Sequence, residues 1–303
     1  MKRKVLLILI IIILISACAC SRRSSTYTDE TKKIAVCTSF YAMYDFSKKI
    51  GGDKINLINL VPSGIEPHDW EPSPKDIANL EKADVLIYNG AGMEGWIDKV
   101  INSLSNKKII VVETSKKINL LQNEDSDEDL KYDPHVWLNP LNAKIQMEAI
   151  KDAFIKADPS NKDYYEKNFL ENSAKLDELD KEYKNAVLSF KSKDIVVSHK
   201  AFGYLCSTYG LNQVAIEGMS ADVEPTPSKM AEIVKFAKDN KVKYIFFEEL
   251  ISPKVAQVIA NESGAETAVL NPFEGLNEED IKKGKDYFSV MKENLEILKT
   301  ALQ

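Results

Sequence analysis

The sequence predicts an α/β fold of two lobes, each with a four-stranded, mostly parallel sheet flanked by helices, joined by one long linker helix. Three observations predict it. Short β-branched runs recur eight times, amphipathic helical stretches separate them, and one long polar helical stretch divides the runs four and four. With 303 residues, 44% of them apolar, the chain is long enough for two lobes with separate cores or for one large domain, and two lobes is the preferred reading.

The first four runs are Lys33–Cys37, Ile55–Val61, Asp84–Tyr88 and Lys108–Glu113, and the second four are Asp194–Ser198, Gln213–Glu217, Lys243–Phe247 and Thr267–Leu270. Asn139-Pro140 marks a helix start between the two sets, with Asn as cap and Pro at the first helical position. From Asn161 to Phe190 there is neither Pro nor Gly, and Tyr165, Phe169, Leu176, Leu179, Tyr183 and Val187 recur at mostly three- and four-residue spacing. One uninterrupted helix of about 30 residues, roughly 45 Å long, is expected there. The resulting lobes are residues 32–160 and 191–303, with 161–190 as the linking helix.

Ahead of the first lobe, Lys2, Arg3 and Lys4 precede an unbroken apolar run from Val5 to Ile15 and then Ser16-Ala17-Cys18. A spanning helix needs roughly 20 apolar residues, so this run reads as a signal peptide, residues 1–17. Leu14-Ile-Ser-Ala-Cys18 resembles the bacterial lipobox, which makes Cys18 the expected lipidated N-terminus and 18–31 a polar linker from the membrane to the folded body. Cleavage removes three of 40 basic residues and none of 46 acidic ones, leaving a formal charge of −9. That balance argues against nucleic acid as a partner. Cys37 and Cys206 have neither disulfide-framework nor CxxC spacing and are expected to be small buried hydrophobes.

Chemistry is concentrated in three histidines, the only ones in the chain, each in a loop that follows an expected strand. Ligands of open α/β sheets bind beyond the carboxyl ends of the strands. His68 lies in the proline-stiffened loop Pro62–Pro74, His135 in Asp133-Pro-His-Val-Trp-Leu-Asn-Pro140, and His199 directly after Ile195-Val-Val-Ser198, at the expected start of a helix Lys200–Leu205. Two come from the first unit and one from the second, which places an ion between lobes. Zinc takes four ligands in tetrahedral geometry, so a fourth is expected from the second lobe. Glu274, in Asn271-Pro-Phe-Glu-Gly275, is the candidate, although spacing alone does not separate it from Glu248, Glu249 or Glu266. Just before His135, Glu124, Asp125, Asp127, Glu128 and Asp129 form an acidic loop, read either as a solvated surface loop or as a low-affinity cation collector.

At these residues the sequence resembles the metal-binding solute receptors of zinc and manganese ABC importers, lipoproteins that deliver an ion to a membrane permease. The resemblance runs from about Lys33 to Leu302, through Glu66-Pro-His-Asp-Trp-Glu-Pro-Ser-Pro74, Asp133–Pro140, Ser198-His-Lys-Ala-Phe-Gly-Tyr204 and Asn271–Leu276 with Tyr287-Phe-Ser-Val-Met-Lys292. It implies His68, His135, His199 and Glu274 as metal ligands. It also implies two lobes that open and close modestly, and a monomer on the extracellular face of the membrane, partnered by a permease and its cytoplasmic ATPase. Three imidazoles and a carboxylate suit Zn2+, whereas Mn2+ favours more oxygen ligands. The chain departs from zinc members that carry a histidine-rich loop before the second ligand, since its loop there is acidic.

Two enzyme readings compete. Gly90-x-Gly92-x-x-Gly95, after an expected strand and followed 18 residues later by Glu113, matches a dinucleotide-binding fingerprint locally. It follows the third strand rather than the first, in an exported chain, without a catalytic constellation. A secreted zinc hydrolase would keep one coordination position open for water, and four protein ligands would close it. No HExxH pair occurs.

Overall fold

Strands form where the β-branched runs stand, in two separate sheets. A computed structural model describes residues 33–123, 130–219 and 225–303. In it β1 (Ile34–Thr38), β2 (Ile55–Asn59), β3 (Val85–Tyr88) and β4 (Ile110–Glu113) pair in the order β2-β1-β3-β4. The strands β5 (Asp194–Val197), β6 (Asn212–Ala215), β7 (Tyr244–Phe247) and β8 (Glu266–Val269) repeat that arrangement as β6-β5-β7-β8. Every pairing is parallel, so within each sheet all strands end on one edge. The expected signal peptide (1–17), lipidated Cys18, linker (18–31) and acidic loop (Glu124, Asp125, Asp127, Glu128, Asp129) lie outside the described residues.

Side-chain alternation along the strands divides the apolar residues among three cores. Val36, Val85 and Ile87 of the first sheet face the same continuous core as Ile195, Val197 and Phe246 of the second. Their neighbours point the other way: Cys37 and Leu86 pack with Trp96 and Val100, and Val196 and Ile245 with Ile233 and Ile259. A strand buried on both faces reads as an unbroken apolar run, which is why these runs were legible.

The helices are α1 (Tyr41–Gly51), α2 (Pro74–Leu80), α3 (Ile97–Ser103), α4 (Pro140–Ala157), α5 (Lys162–Ala186), α6 (Gly203–Tyr209), α7 (Pro227–Asp239), α8 (Lys254–Ser263), α9 (Glu278–Lys282) and α10 (Tyr287–Leu302). The Asn139 side chain accepts the Leu141 N–H at 2.8 Å with Pro140 at the first position, as the sequence indicated. The linking helix is shorter than expected. α5 has 25 residues, about 37 Å, flanked by tight 3-10 turns at Pro159–Asn161 and Val187–Ser189. Past that turn Phe190 is extended, and Lys191 and Ser192 donate their N–H groups to the Leu302 carbonyl at 2.7 and 3.2 Å on the way into β5.

α5 packs on α1 and α4 of the first lobe and on α10 of the second. At the start of α10, the capping residue Asp286 accepts a 2.7 Å bond from Lys49 of α1, tying the C-terminal helix to the first lobe. Residues 33–303 accordingly cluster as one unit. Among the described residues no helix is long and apolar enough to cross a membrane.

Candidate metal centre

Four loops at the carboxyl edges of the two sheets bring the predicted ligands together. His68 lies between β2 and α2, on a loop stiffened by Pro67, Pro72 and Pro74 and pinned by Trp70, whose ring meets Trp96 edge-on at 5.5 Å. His135 immediately precedes the 3-10 turn Val136–Leu138. Glu274 lies in the loop after β8, where Phe273 adopts a left-handed conformation, φ 58°. Such a backbone costs about 1–2 kcal/mol for a non-glycine residue. It is held by the buried Phe273 ring, which meets Tyr41 and Tyr287 edge-on, and by a 2.7 Å bond from its N–H to Asn271 Oδ1.

His199 departs from expectation. It stands in a bend, and helix α6 begins only at Gly203. The intervening amides have partners elsewhere: Lys200 N–H donates to the Gly218 carbonyl at 2.7 Å and Phe202 N–H to Gln213 Oε1 at 2.6 Å.

Potential ligand atoms of His68, His135, His199 and Glu274 all lie within 4.8 Å of one another. The Nε2 atoms of His135, His199 and His68 stand 2.9, 3.4 and 3.6 Å from Glu274 Oε1. His135 Nε2 is 3.2 Å from His68 Nε2 and 3.3 Å from His199 Nε2. Ligands about 2.05 Å from a zinc ion at tetrahedral angles are separated by about 3.3 Å. The observed spacings bracket that value, so the donor set fits one tetrahedral ion. His135, His199 and Glu274 are buried, and the His68 side chain retains 4% exposure.

Behind the imidazoles stand two carboxylates that sequence reasoning did not place. Asp133 Oδ1 lies 2.8 Å from His135 Nδ1, and Glu248 Oε1 lies 2.5 Å from His199 Nδ1. Each accepts an Nδ1–H and leaves the Nε2 lone pair aimed inward, the usual arrangement behind a metal-binding histidine. The repeated acid-Pro-His pattern at residues 66–68 and 133–135 was the available signal for Asp133. Of the other carboxylates that spacing left open, Glu249 faces Asp280 and Glu266 is exposed at the start of β8.

Charge follows this arrangement. Burial would lower the His199 pKa, but Glu248 and Glu274 outweigh it and hold it well above the ordinary histidine value. His135 is raised likewise against burial by Asp133 and Glu274, whereas burial prevails at His68 and lowers it. Burial would raise Glu274, yet His199 and the contacts to all three imidazoles hold its carboxyl well below the carboxylate range.

The glycine motif at 90–95 has its own occupant. Glu94 accepts the Asn89 and Gly90 N–H groups at 2.8 and 2.9 Å and the Ser39 hydroxyl at 2.7 Å. A buried carboxylate thus uses the loop amides that a dinucleotide phosphate would need. Asn89 in turn donates to the Pro134 carbonyl at 2.9 Å, so this loop is tied to the backbone that carries His135. Cys37 and Cys206 are buried free thiols in β1 and α6.

Residues 36–301 match the protein family described as zinc-uptake complex component A, periplasmic. The high-affinity zinc uptake system protein ZnuA of Bacillus subtilis (strain 168) is 42% identical over 295 residues, covering 93% of this chain and 92% of its own length. The zinc-binding lipoprotein AdcA of Streptococcus pneumoniae is 40% identical over 277 residues, which is 88% of this chain and 55% of its own length. This chain therefore spans little more than half of that relative. The crystal structure of the Zn(II)-bound ZnuA-like domain of Streptococcus pneumoniae AdcA is similar with a TM-score of 0.79 at 40% identity, covering 89% of this chain and 99% of that one.

Proposed function

The chain belongs to the family of periplasmic component A proteins of zinc-uptake complexes, and on that premise we propose that it is an extracellular, lipid-anchored receptor that captures one zinc ion and delivers it to an ATP-driven importer. His68, His135, His199 and Glu274 are its ligands. The observation that carries this reading is the convergence of three Nε2 atoms on one carboxylate oxygen at tetrahedral spacings. Three neutral nitrogens and one anionic oxygen favour zinc over manganese, which prefers more oxygen donors.

Four protein donors close the shell of a tetrahedral ion. No coordination position then remains for the water that a zinc hydrolase activates, so the centre holds cargo and is not catalytic. Capture needs ligands from both lobes, because His68 and His135 belong to residues 32–160, and His199 and Glu274 to residues 191–303. Delivery is to a membrane permease coupled to a cytoplasmic ATPase, with the receptor acting as a monomer. Residues 1–17 direct export, Cys18 carries the lipid, and residues 18–31 hold the body off the membrane.

Elemental analysis of protein purified without added metal, followed by competition among zinc, manganese and iron, tests the reading. One tightly held zinc per chain is expected, with at most weak further binding at the acidic loop. Two equally tight sites, or a preference for manganese or iron, would contradict it.

A further inference from the structure

The acid-Pro-His sequence occurs twice at this centre, and its two carboxylates behave differently. In both copies the acid accepts the histidine backbone N–H two residues later, at 3.2 Å for Glu66 and His68 and 2.9 Å for Asp133 and His135. Asp133 Oδ1 also meets His135 Nδ1, on the side of the ring turned away from the other ligands. Glu66 is one methylene longer. Its Oε1 instead lies 4.0 Å from His68 Nε2, the nitrogen that faces Glu274. Its other oxygen, Oε2, is buried without a hydrogen-bond partner. A buried carboxylate oxygen with nothing to accept from is costly, and positions of that kind invite a functional explanation.

Two donors on one ion stand at most about 4.2 Å apart, twice a metal–ligand bond of roughly 2.1 Å. Glu66 Oε1 is within that span of one donor, His68 Nε2, and stands outside the group formed by the four, so its side chain has to turn toward the other three to reach an ion they hold. We propose that Glu66 is a conditional fifth ligand of the metal centre: it stays outside the four-donor shell of zinc and joins the shell of a divalent ion that prefers more oxygen, such as manganese. Glu66 then sets how sharply the site discriminates between the two. The proposal rests on the zinc-receptor reading, and it adds a selectivity determinant to the four ligands.

Glu66→Gln tests it in the otherwise unaltered chain. The glutamine oxygen still accepts the His68 N–H, so the loop keeps its conformation while the side chain can no longer give a carboxylate to a metal. Zinc and manganese affinities should be measured on both proteins by competition with chelators. Manganese affinity should fall about tenfold or more, in the range typical of lost supporting groups at metal sites, with zinc affinity unchanged within about threefold. The electron paramagnetic resonance spectrum of bound manganese should change as well. An equal loss for both metals would assign Glu66 a general charge effect and overturn the proposal. So would unchanged manganese affinity, or a wild-type chain that takes zinc and no manganese. A wild-type chain that takes no zinc would instead sink the receptor reading itself.

Discussion

The Trp137 indole donates its Nε1–H to the carbonyl oxygen of Pro272 at 2.7 Å, a bond that joins the two lobes. Trp137 lies two residues after His135 and Pro272 two residues before Glu274, so this hydrogen bond ties the His135 loop to the Glu274 loop. Tyr287 at the start of α10 braces the same place by donating its hydroxyl to the Trp137 carbonyl at 2.7 Å.

Trp137→Phe should fill most of the volume and leave the buried Pro272 carbonyl without its donor. Such an orphaned group costs about 1–3 kcal/mol. We expect a lower Tm for the metal-free variant and weaker zinc binding. An unchanged melting curve and zinc titration would show that the bond couples nothing.

Ligands and the groups behind them should separate by magnitude. Asp133→Asn or Glu248→Gln should weaken zinc binding about 10–100-fold, the usual effect of losing a group that orients a metal-binding histidine. His68→Ala, His135→Ala and His199→Ala should each exceed that loss, and Glu274→Ala should lose less than they do where water takes its place. Chelator competition measures all six. A His199→Ala protein with wild-type affinity would refute the inter-lobe site.

Gly203→Ala sets two effects against each other. Alanine is favoured over glycine in a helix by about 1 kcal/mol, which predicts stabilisation of α6. A Cβ at this position would run into Asp133 Oδ2, however, and Asp133 is held in place by His135 and by the Tyr204 hydroxyl on its carbonyl. We expect the clash to dominate and to turn His135 out of position, so that zinc affinity falls. A variant that melts higher and binds zinc as before would show that Asp133 can yield.

Zinc and protons compete for the same Nε2 lone pairs, so affinity should fall as pH falls. The raised pKa values of His135 and His199 keep protons on them above the ordinary value of about 6.5, which moves the onset of competition above that pH. His68 is lowered, so the third displaced proton should appear only below about 6.5. Glu274, held well below the carboxylate range, should contribute only in strong acid. Calorimetric titrations in several buffers from about pH 5 to about pH 8 count these protons. Constant affinity across that range would contradict the assignment of the three histidines.

Cys18→Ala should leave an unprocessed precursor or release the protein from membranes. Each buried methylene of an acyl chain contributes about 0.8 kcal/mol of attachment, so two or three chains hold firmly. Fractionation of cells expressing the variant decides, and full retention with normal processing would point to Cys20 or another anchor.

What could be read from the sequence follows from where the physics is local. The central strands β1, β3, β5 and β7 were legible because burial on both faces leaves no polar alternation, and the start of α4 because Asn139 and Pro140 act on their immediate neighbours. The three histidines were legible by rarity and by their place after strands. The far end of α5 was not, because nothing in Val187–Ser189 forbids helix and the bonds made just past the turn go to Leu302, more than a hundred residues away. His199 was assigned to a helix start for a similar reason, since Gly218 and Gln213 claim the amides that follow it. Glu274 and Glu248 are equivalent in spacing. Only the fold shows one carboxylate facing three Nε2 atoms and the other behind a ring.

The two thiols of the folded body bear on the fidelity of the centre. Thiolate is a stronger partner for soft metals than imidazole, and an accessible one could divert the ion or be oxidised. Burial pushes the Cys37 thiol up to about 11 and that of Cys206 higher still, so both remain protonated, enclosed and chemically quiet. The folded body therefore carries two unpaired cysteines without offering the ion a second coordination chemistry.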